Sequence, residues 1–375
     1  MNYIGEREIL IALHELDGIG SKSIERLINK GALSAHMLHF NEQDWEQAGL
    51  PRDKVGSVMR QLSLDRIEQR SLELMNRKIK VITILDEEYP ALLKEAHQPP
   101  WVLYCLGNVD LLQSTAISMV GTRIPTAYGR KVGAVLAEGL CKAGMTVISG
   151  LARGIDSVCH EASLICGGNT IAVMATGMDV IYPAENRTLY ERIAAKGLIV
   201  TEYALGTPSH PGLFPQRNRI IAGLSLGTLV VEADARSGSL ITADLAMEAG
   251  RDVYAVPGPI TSPKSRGTLE LIKQGAKMVT CTQDVLEEYE SHLLEVGNNQ
   301  EDLKKLRIEE RLCSQKEDLT TEEIQLYHIL EQGPCTLDQL LLKSQWDFGH
   351  LHSVLLSLII KKQITQLAGA IYKII

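Results

Sequence analysis

From about residue 79 to residue 280 the chain alternates short β-branched or aromatic runs with helix-length segments, and this alternation limits the fold more than any other feature. The runs are Val81–Leu85, Trp101–Leu106, Ile117–Val120, Thr146–Ile148, Thr170–Met174, Leu198–Thr201, Thr228–Val231, Asp252–Val256 and Met278–Thr280. Strands joined by crossovers of that length pair in parallel, and their apolar faces need helices on both sides. The pattern predicts a doubly wound, mostly parallel sheet, an extended Rossmann-like core of α/β class. Ligands of such sheets sit beyond the carboxyl ends of the strands.

Four segments read as glycine placed where a strand turns toward a helix N-terminus: SMVGTRIPTAYGRK, VISGLARGID, FPQRNRIIAGLS and VVEADARSGSLITA. Arginine accompanies the turn in three of them, so exposed backbone N–H groups and guanidinium groups should share one edge of the sheet. That is an anion site, and its recurrence over roughly a hundred residues points to an extended anion such as a nucleic-acid backbone.

Gly121, Thr122 and Arg123 stand at the first turn, with Thr126 placed to cap a helix opened by Tyr128, Gly129 and Arg130. The second turn, Ser149 to Asp156, carries Arg153, and Asp156 is placed to cap a helix that holds His160 and Glu161. A catalytic His/Asp pair there competes with a local contact, and no nucleophile elbow accompanies it. Phe214, Arg217, Asn218 and Arg219 combine a ring for base stacking with guanidinium groups for flanking phosphates. The alternative places Phe214 in the core and the arginines in internal salt bridges. Arg236, Ser237, Gly238, Ser239 and Thr242 form the last helix start, preceded by Glu232 and Asp234, carboxylates suited to ordering arginines or to acting on a ribosyl bond.

Residues 1–75 show helical spacing throughout, as in Ile9, Leu10, Leu13 and Leu16, and predict a small all-helical domain. Its Leu16-Asp17-Gly18-Ile19-Gly20-Ser21 segment resembles the turn of a helix-hairpin-helix, which grips a DNA phosphate; a plain inter-helix turn fits as well, because nearby basic residues are limited to Lys22, Arg26 and Lys30. The sheet domain is assigned to 76–290 and a charged linker to 291–317. Residues 318–375 predict three helices and a terminal hairpin, a winged helix, with Thr336 as a cap. Its expected recognition helix, HLHSVLLSLIIKK, is apolar with basic residues only at the end, so DNA and protein partners fit it equally.

The formal net charge of -8 argues against indiscriminate coating of nucleic acid. Neither G-x-G-x-x-G nor a P-loop is present, which removes the usual support for dinucleotide or ATP chemistry. No apolar run reaches the roughly 20 residues of a membrane span, and the first residues lack a signal pattern, so a cytosolic location is expected. The seven cysteines form no C-x-x-C pair; they read as reduced thiols, and neither a metal site nor a cofactor is expected.

Taken in order, GTR..T.YGR, SGLARGID, TEY, FPQRNRIIAGLS, EADARSGSLITA, AGRDVYAVPG and GTLELIKQGA resemble the DprA/Smf family of DNA-processing proteins over about residues 116–280. The likeness extends, more weakly, to a sterile-alpha-motif-like N-terminal domain and a winged-helix C-terminal domain. It implies a non-catalytic, homodimeric single-stranded DNA binder that protects incoming strands in natural transformation and promotes loading of RecA recombinase. By motif, the DNA pocket would use Gly121, Thr122, Arg123, Arg153, Phe214, Arg217, Asn218, Arg219, Ser237 and Gly238, and the dimer would form through Leu269, Leu271 and Ile272. Two positions depart from the family pattern: Leu269, where Asn is expected after Gly-Thr, and Thr122, where Ser is common and the hydroxyl is kept. The rival from another class is a nucleotide N-glycosidic hydrolase like the cytokinin-activating LOG-type proteins. Those carry P-G-G-x-G-T-x-x-E, for which Pro257-Gly258-Pro259-Ile260-Thr261 is a poor substitute.

Overall fold

Ile9, Leu10 and Leu13 fall on one face of α1 (Glu6–His14) and are fully buried, as helical spacing requires. Gly18, at φ +85°, turns the chain, and Gly20 opens α2 (Ser21–Asn29). A 3₁₀ turn (Ala35–His39), α3 (Glu42–Gln47), α4 (Arg52–Gln61) and α5 (Leu64–Asn76) complete the helical part. This computed structural model describes residues 4–295, 320–331, 333–361, 363–367 and 369–374. The chain divides into two compact units on either side of residue 299, with the N-terminal helices and the sheet in the first.

The helices do not stand apart from the sheet. Their core, which includes Trp45 and Val58, runs into Val102, Tyr104 and Ile199 of the sheet. The polar groups trapped at that seam are satisfied across it. The buried Tyr104 donates its hydroxyl to Glu15 at 2.6 Å, Arg70 pairs with the same carboxylate at 2.7 Å, and Arg7 Nε reaches Asp86 at 3.0 Å.

The sheet contains β1 (Lys80–Thr83), β2 (Val102–Gly107), β3 (Ala116–Val120), β4 (Thr146–Ser149), β5 (Thr170–Val173), β6 (Leu198–Thr201), β7 (Gly227–Val230), β8 (Asp252–Ala255) and β9 (Lys277–Met278). Its order is β1-β2-β6-β5-β4-β3-β7-β8-β9. From β6 to β9 every pairing is parallel, and β1 and β2 extend the edge antiparallel. The helices α6 (Ala91–Glu95), α7 (Ala127–Lys142), α8 (Ile155–Ile165), α9 (Arg187–Lys196), α10 (Leu213–Gly223), α11 (Gly238–Glu248) and α12 (Arg266–Lys273) lie between strands, and α13 (Gln283–Leu286) and α14 (Glu290–Glu295) follow. The chain winds outward from β3 through β4, β5 and β6, then returns to β7 beside β3 and winds the other way. The crevice between the loops after β3 and β7 is therefore the switch point at which such sheets bind ligands.

The reading of FPQRNRIIAGLS as a strand end is corrected: Phe214 to Gly223 lie inside α10, of which Gly223 is the last residue, and Leu224 and Ser225 follow it. Pro215 is the third residue of α10, where a missing N–H costs no intrahelical bond. Of the charged stretch assigned to 291–317, only the end of α14 falls within the described residues.

The C-terminal unit contains α15 (Thr321–Glu331), β10 (Cys335–Thr336), α16 (Leu337–Ser344), α17 (Phe348–Ile360), β11 (Ile364–Leu367) and β12 (Ile371–Ile374), with strand order β10-β12-β11. Thr336 and Gln339 form a reciprocal capping box at α16. Leu326, Leu340, Leu351 and Leu358 make its core, so this is a winged helix. The outer face of α17 presents Phe348, His352, Leu356 and Ile360, while Lys361 is held by the buried Glu323 at 2.7 Å. Among the described residues no helix is long and apolar enough to cross a membrane.

Candidate nucleic-acid interface

Four loops meet beyond the carboxyl ends of the central strands, and backbone hydrogen bonds stitch them together. Thr122 N donates to Glu232 O at 2.7 Å, Ala233 N to Lys264 O at 2.8 Å, and Ile155 N to Thr122 O at 3.2 Å. Two glycines permit this closeness. A Cβ on Gly121 would stand 2.7 Å from Ile155 Cγ1, and one on Gly154, at φ +80°, would stand 2.3 Å from Thr122 O.

Glu232 fixes the first loop. Its carboxylate accepts from Thr126 N at 2.9 Å and from the Thr126 hydroxyl at 2.6 Å, and Thr126 Oγ1 in turn accepts from Gly129 N at 3.1 Å, capping α7. The expectation that Glu232 orders arginines is thereby replaced: both its oxygens serve Thr126. Gly129 is required here, because a Cβ would meet Glu232 Oε2 at 2.1 Å.

The Gly150–Arg153 loop is braced from beneath by a buried charge pair. Arg217 is buried and donates Nη1 to Gly150 O at 2.6 Å and to Val173 O. Asp156, also buried, accepts from Gly150 N at 3.1 Å and Ala152 N at 3.4 Å. Burial raises the Asp156 carboxyl against the opposing pull of Arg217, and burial pushes Arg217 down to about 10, still charged at neutral pH. Asp156 lies within α8 and is not its cap, which is Gly154. Arg217 is thus a positioning residue and not an exposed phosphate contact.

Above this floor opens a cavity of about 650 Å³ whose wall includes Thr122, Arg123, Phe214, Asn218, Arg236 and Lys264. Lys264 Nζ lies 3.4 Å from Thr122 Oγ1. Arg123 sits over the Phe214 ring, 5.4 Å from its centroid, and Phe214 packs against Tyr182 with centroids 5.3 Å apart. Phe214 is half-buried, so its ring belongs to the cavity wall and not to the core. Among the described residues, no carboxylate lies within ion-pair distance of Arg123, Arg236 or Lys264. Ser237 caps α11, its hydroxyl paired with Ser239 Oγ at 2.8 Å, and open space lies in front of Gly238.

The remaining arginines are placed differently. Arg153 lies beside Tyr182 and Phe214, exposed, in a bidentate pair with Glu185 at 2.7 Å. An ion pair so open to water is weak and exchangeable. Arg219, expected in the pocket, is directed elsewhere: it binds Glu202 bidentately at 2.6 Å and donates to Gln98 O at 2.9 Å. In α12, Leu271 is buried in the sheet core, Ile272 packs partly against it, and Leu269 is half-buried outside that cluster.

Sequence reasoning missed Lys264 and Tyr182, and it named Arg236 at a helix start without placing it in the pocket. The signal for Lys264 was its position just after the strand that follows the switch point, since loops at that end of a parallel sheet converge on the ligand. His160 is buried and its Nδ1 meets Thr170 Oγ1 at 2.7 Å, so it faces away from any catalytic task with Asp156. Among the described residues no cluster of metal-ligating side chains occurs, and none of the six described cysteines is in a disulfide; Cys313 lies outside the described residues.

Comparison with known proteins places this architecture. Residues 80–290 match the family described as DNA recombination-mediator protein A, and residues 314–370 match the DprA winged helix domain. Protein Smf of Synechocystis is 33% identical across 98% of this chain and 98% of its own length, and the DNA processing protein DprA of Streptococcus pneumoniae is 44% identical over 60% of this chain and 79% of its own. The X-ray structure of the Streptococcus pneumoniae protein superposes with a TM-score of 0.68 at 36% identity, covering 76% of this chain and 98% of that one. A structure of DNA processing protein A from Helicobacter pylori, described as having a unique single-stranded DNA binding mode, matches with a TM-score of 0.52 at 31% identity over 57% of this chain and 97% of its own. The chain belongs to the DNA recombination-mediator protein A family.

Proposed function

We propose that the switch-point cavity binds single-stranded DNA and that the protein is a non-catalytic, cytosolic, homodimeric mediator that protects incoming strands and promotes loading of RecA recombinase in natural transformation. One observation carries the DNA reading: among the described residues, Arg123, Arg236 and Lys264 line one cavity without carboxylate partners, beside an aromatic pair. Elsewhere in the sheet domain Arg153 and Arg219 are neutralised by Glu185 and Glu202, and Arg217 is bedded under a loop. Uncompensated cations next to a stacking platform are what a single strand needs, phosphates for the one and a base face for the other. Binding of the Helicobacter pylori relative to single strands supports the same reading.

A glycosidic hydrolase needs a carboxylate aimed at the anomeric carbon. Glu232 has both oxygens committed to Thr126, and Asp234 accepts from Ala235 N at 2.7 Å, which favours binding over hydrolysis.

The test is a titration of labelled single- and double-stranded oligonucleotides at several salt concentrations, beside an incubation with nucleoside monophosphates. Tighter binding of single strands, a log–log salt slope near -2 from about three phosphate contacts, and intact nucleotides are expected. Equal binding of duplex, or release of free base, overturns the proposal.

A further inference from the structure

The cations of the cavity come from three loops that are hydrogen-bonded to one another, and together they line one cavity. Lys264 touches Thr122, the neighbour of Arg123, and its carbonyl accepts from Ala233, three residues before Arg236. Asp156 and Arg217 cancel beneath the floor, and Asp234 is the other carboxylate on the wall. Three cations against Asp234 leave an excess of two positive charges, facing the open space in front of Gly238 at the start of α11, whose N-terminus adds further positive potential.

An internal phosphodiester brings one negative charge and two free oxygens to such a place. A phosphomonoester brings about 1.5 to 2 charges at neutral pH and three oxygens. We propose that this cavity prefers the terminal phosphomonoester of a DNA strand over an internal diester, with Lys264 as the residue that sets the preference. The inference rests on the strand-binding reading above. Arg123 and Arg236 can each serve a diester oxygen, and the Lys264 ammonium, with three donors and, among the described residues, only Thr122 as a partner, supplies the contact for the third oxygen.

The experiment measures fluorescence-anisotropy affinities for one oligonucleotide sequence in four forms: 5′-phosphate, 3′-phosphate, hydroxyl at both ends, and covalently closed circle. A form with a terminal phosphate should bind about tenfold tighter than the dihydroxyl strand, the scale of one charge-assisted contact, and the two phosphate arms identify which end is held. The advantage should fall toward one at pH 5.5, below the second phosphate pKa of about 6. Lys264→Met should reduce the ratio to about one, whatever its absolute affinity. Equal affinity of all four forms for the wild type overturns the end preference while leaving strand binding intact, as does a preference that survives in Lys264→Met. Failure of every form to bind overturns the strand-binding reading itself.

Discussion

Glu232 holds Thr126 by two hydrogen bonds, one from the backbone N–H at 2.9 Å and one from the hydroxyl at 2.6 Å. This contact ties the end of β7 to the start of α7 and sets the shape of the Gly121–Thr126 loop from which Arg123 projects. The carboxylate occupies the space that a side chain on Gly129 would need.

Gly129→Ala should therefore expel the carboxylate from its place and strand it, buried, without its partners. The expected cost is about 1–3 kcal/mol of stability, with weaker single-strand binding because Arg123 loses its setting. Chemical denaturation and a binding titration on the same preparation check this; a variant of wild-type stability and affinity would show that the loop is held by other means.

Arg123→Ala and Arg219→Ala should separate. Arg123 meets no carboxylate among the described residues, so its loss should leave the unfolding midpoint nearly unchanged and flatten the salt slope by about 0.7, the value of one phosphate contact on a single strand. Arg219 neutralises Glu202, and both side chains are largely buried, 19% and 12% exposed. Its removal should cost about 2–3 kcal/mol of stability and leave the salt slope alone. Equal slope changes in the two variants would return Arg219 to the pocket.

Phe214→Ala should cost about 1–3 kcal/mol of single-strand affinity if a base stacks on the ring. The side chain is half-buried, so the midpoint of thermal unfolding should move little. The ring also supports Arg123, which predicts non-additivity: in the double variant with Arg123→Ala, the second substitution should matter less than it does alone. Strict additivity would mean that the ring and the guanidinium act apart.

The strands and their carboxyl-end loops were legible because buried parallel strands are short continuous apolar runs, and glycine marks where they turn. The α10 helix was not, because Gly223 read as the glycine of a strand-to-helix turn and Arg217, Asn218 and Arg219 hid the apolar face. Three arginines in similar motifs, Arg123, Arg217 and Arg219, look alike in sequence and end in three environments: open cavity, buried brace and ion pair. What separates them is which carbonyl or carboxylate the sheet order brings near, and Gly150 and Glu202 lie 67 and 17 residues from their partners. Lys264 was illegible for the same reason, since only the order β3-β7-β8 sets its ammonium beside Thr122.

Leu269→Glu tests the homodimer proposed through α12. Leu271 belongs to the core, Ile272 leans on it, and Leu269 is the apolar residue of the three outside that cluster. A charge there should give a folded monomer with weaker strand binding, because two linked pockets on one strand raise avidity. Light scattering that finds an intact dimer would move the interface; a monomeric wild type at micromolar concentration would remove it.

His160 makes acid stability a readout of the buried layer under the site. The Thr170 hydroxyl donates to Val147 O at 2.8 Å, so its oxygen accepts from His160 Nδ1 at 2.7 Å, and among the described residues Nε2 has no partner. Burial, then the nearby Arg217 charge, pushes the imidazole down to about 3. Below about pH 6.5 the unfolded chain takes up a proton that the folded chain refuses, so the stability from this neutral histidine is complete above that pH and declines as pH falls toward 3. The slope for one such group is about 1.4 kcal/mol per pH unit. Asp156, raised by burial, acts with the opposite sign and is common to any variant that leaves it in place. Denaturation of the wild type and of His160→Gln between pH 7.5 and 5.5 should therefore show the wild type losing stability faster on acidification, with the difference between them carrying the histidine alone. Parallel curves would mean that His160 takes up its proton in the folded state, and that the layer beneath the Gly150 loop is wetter than its packing indicates.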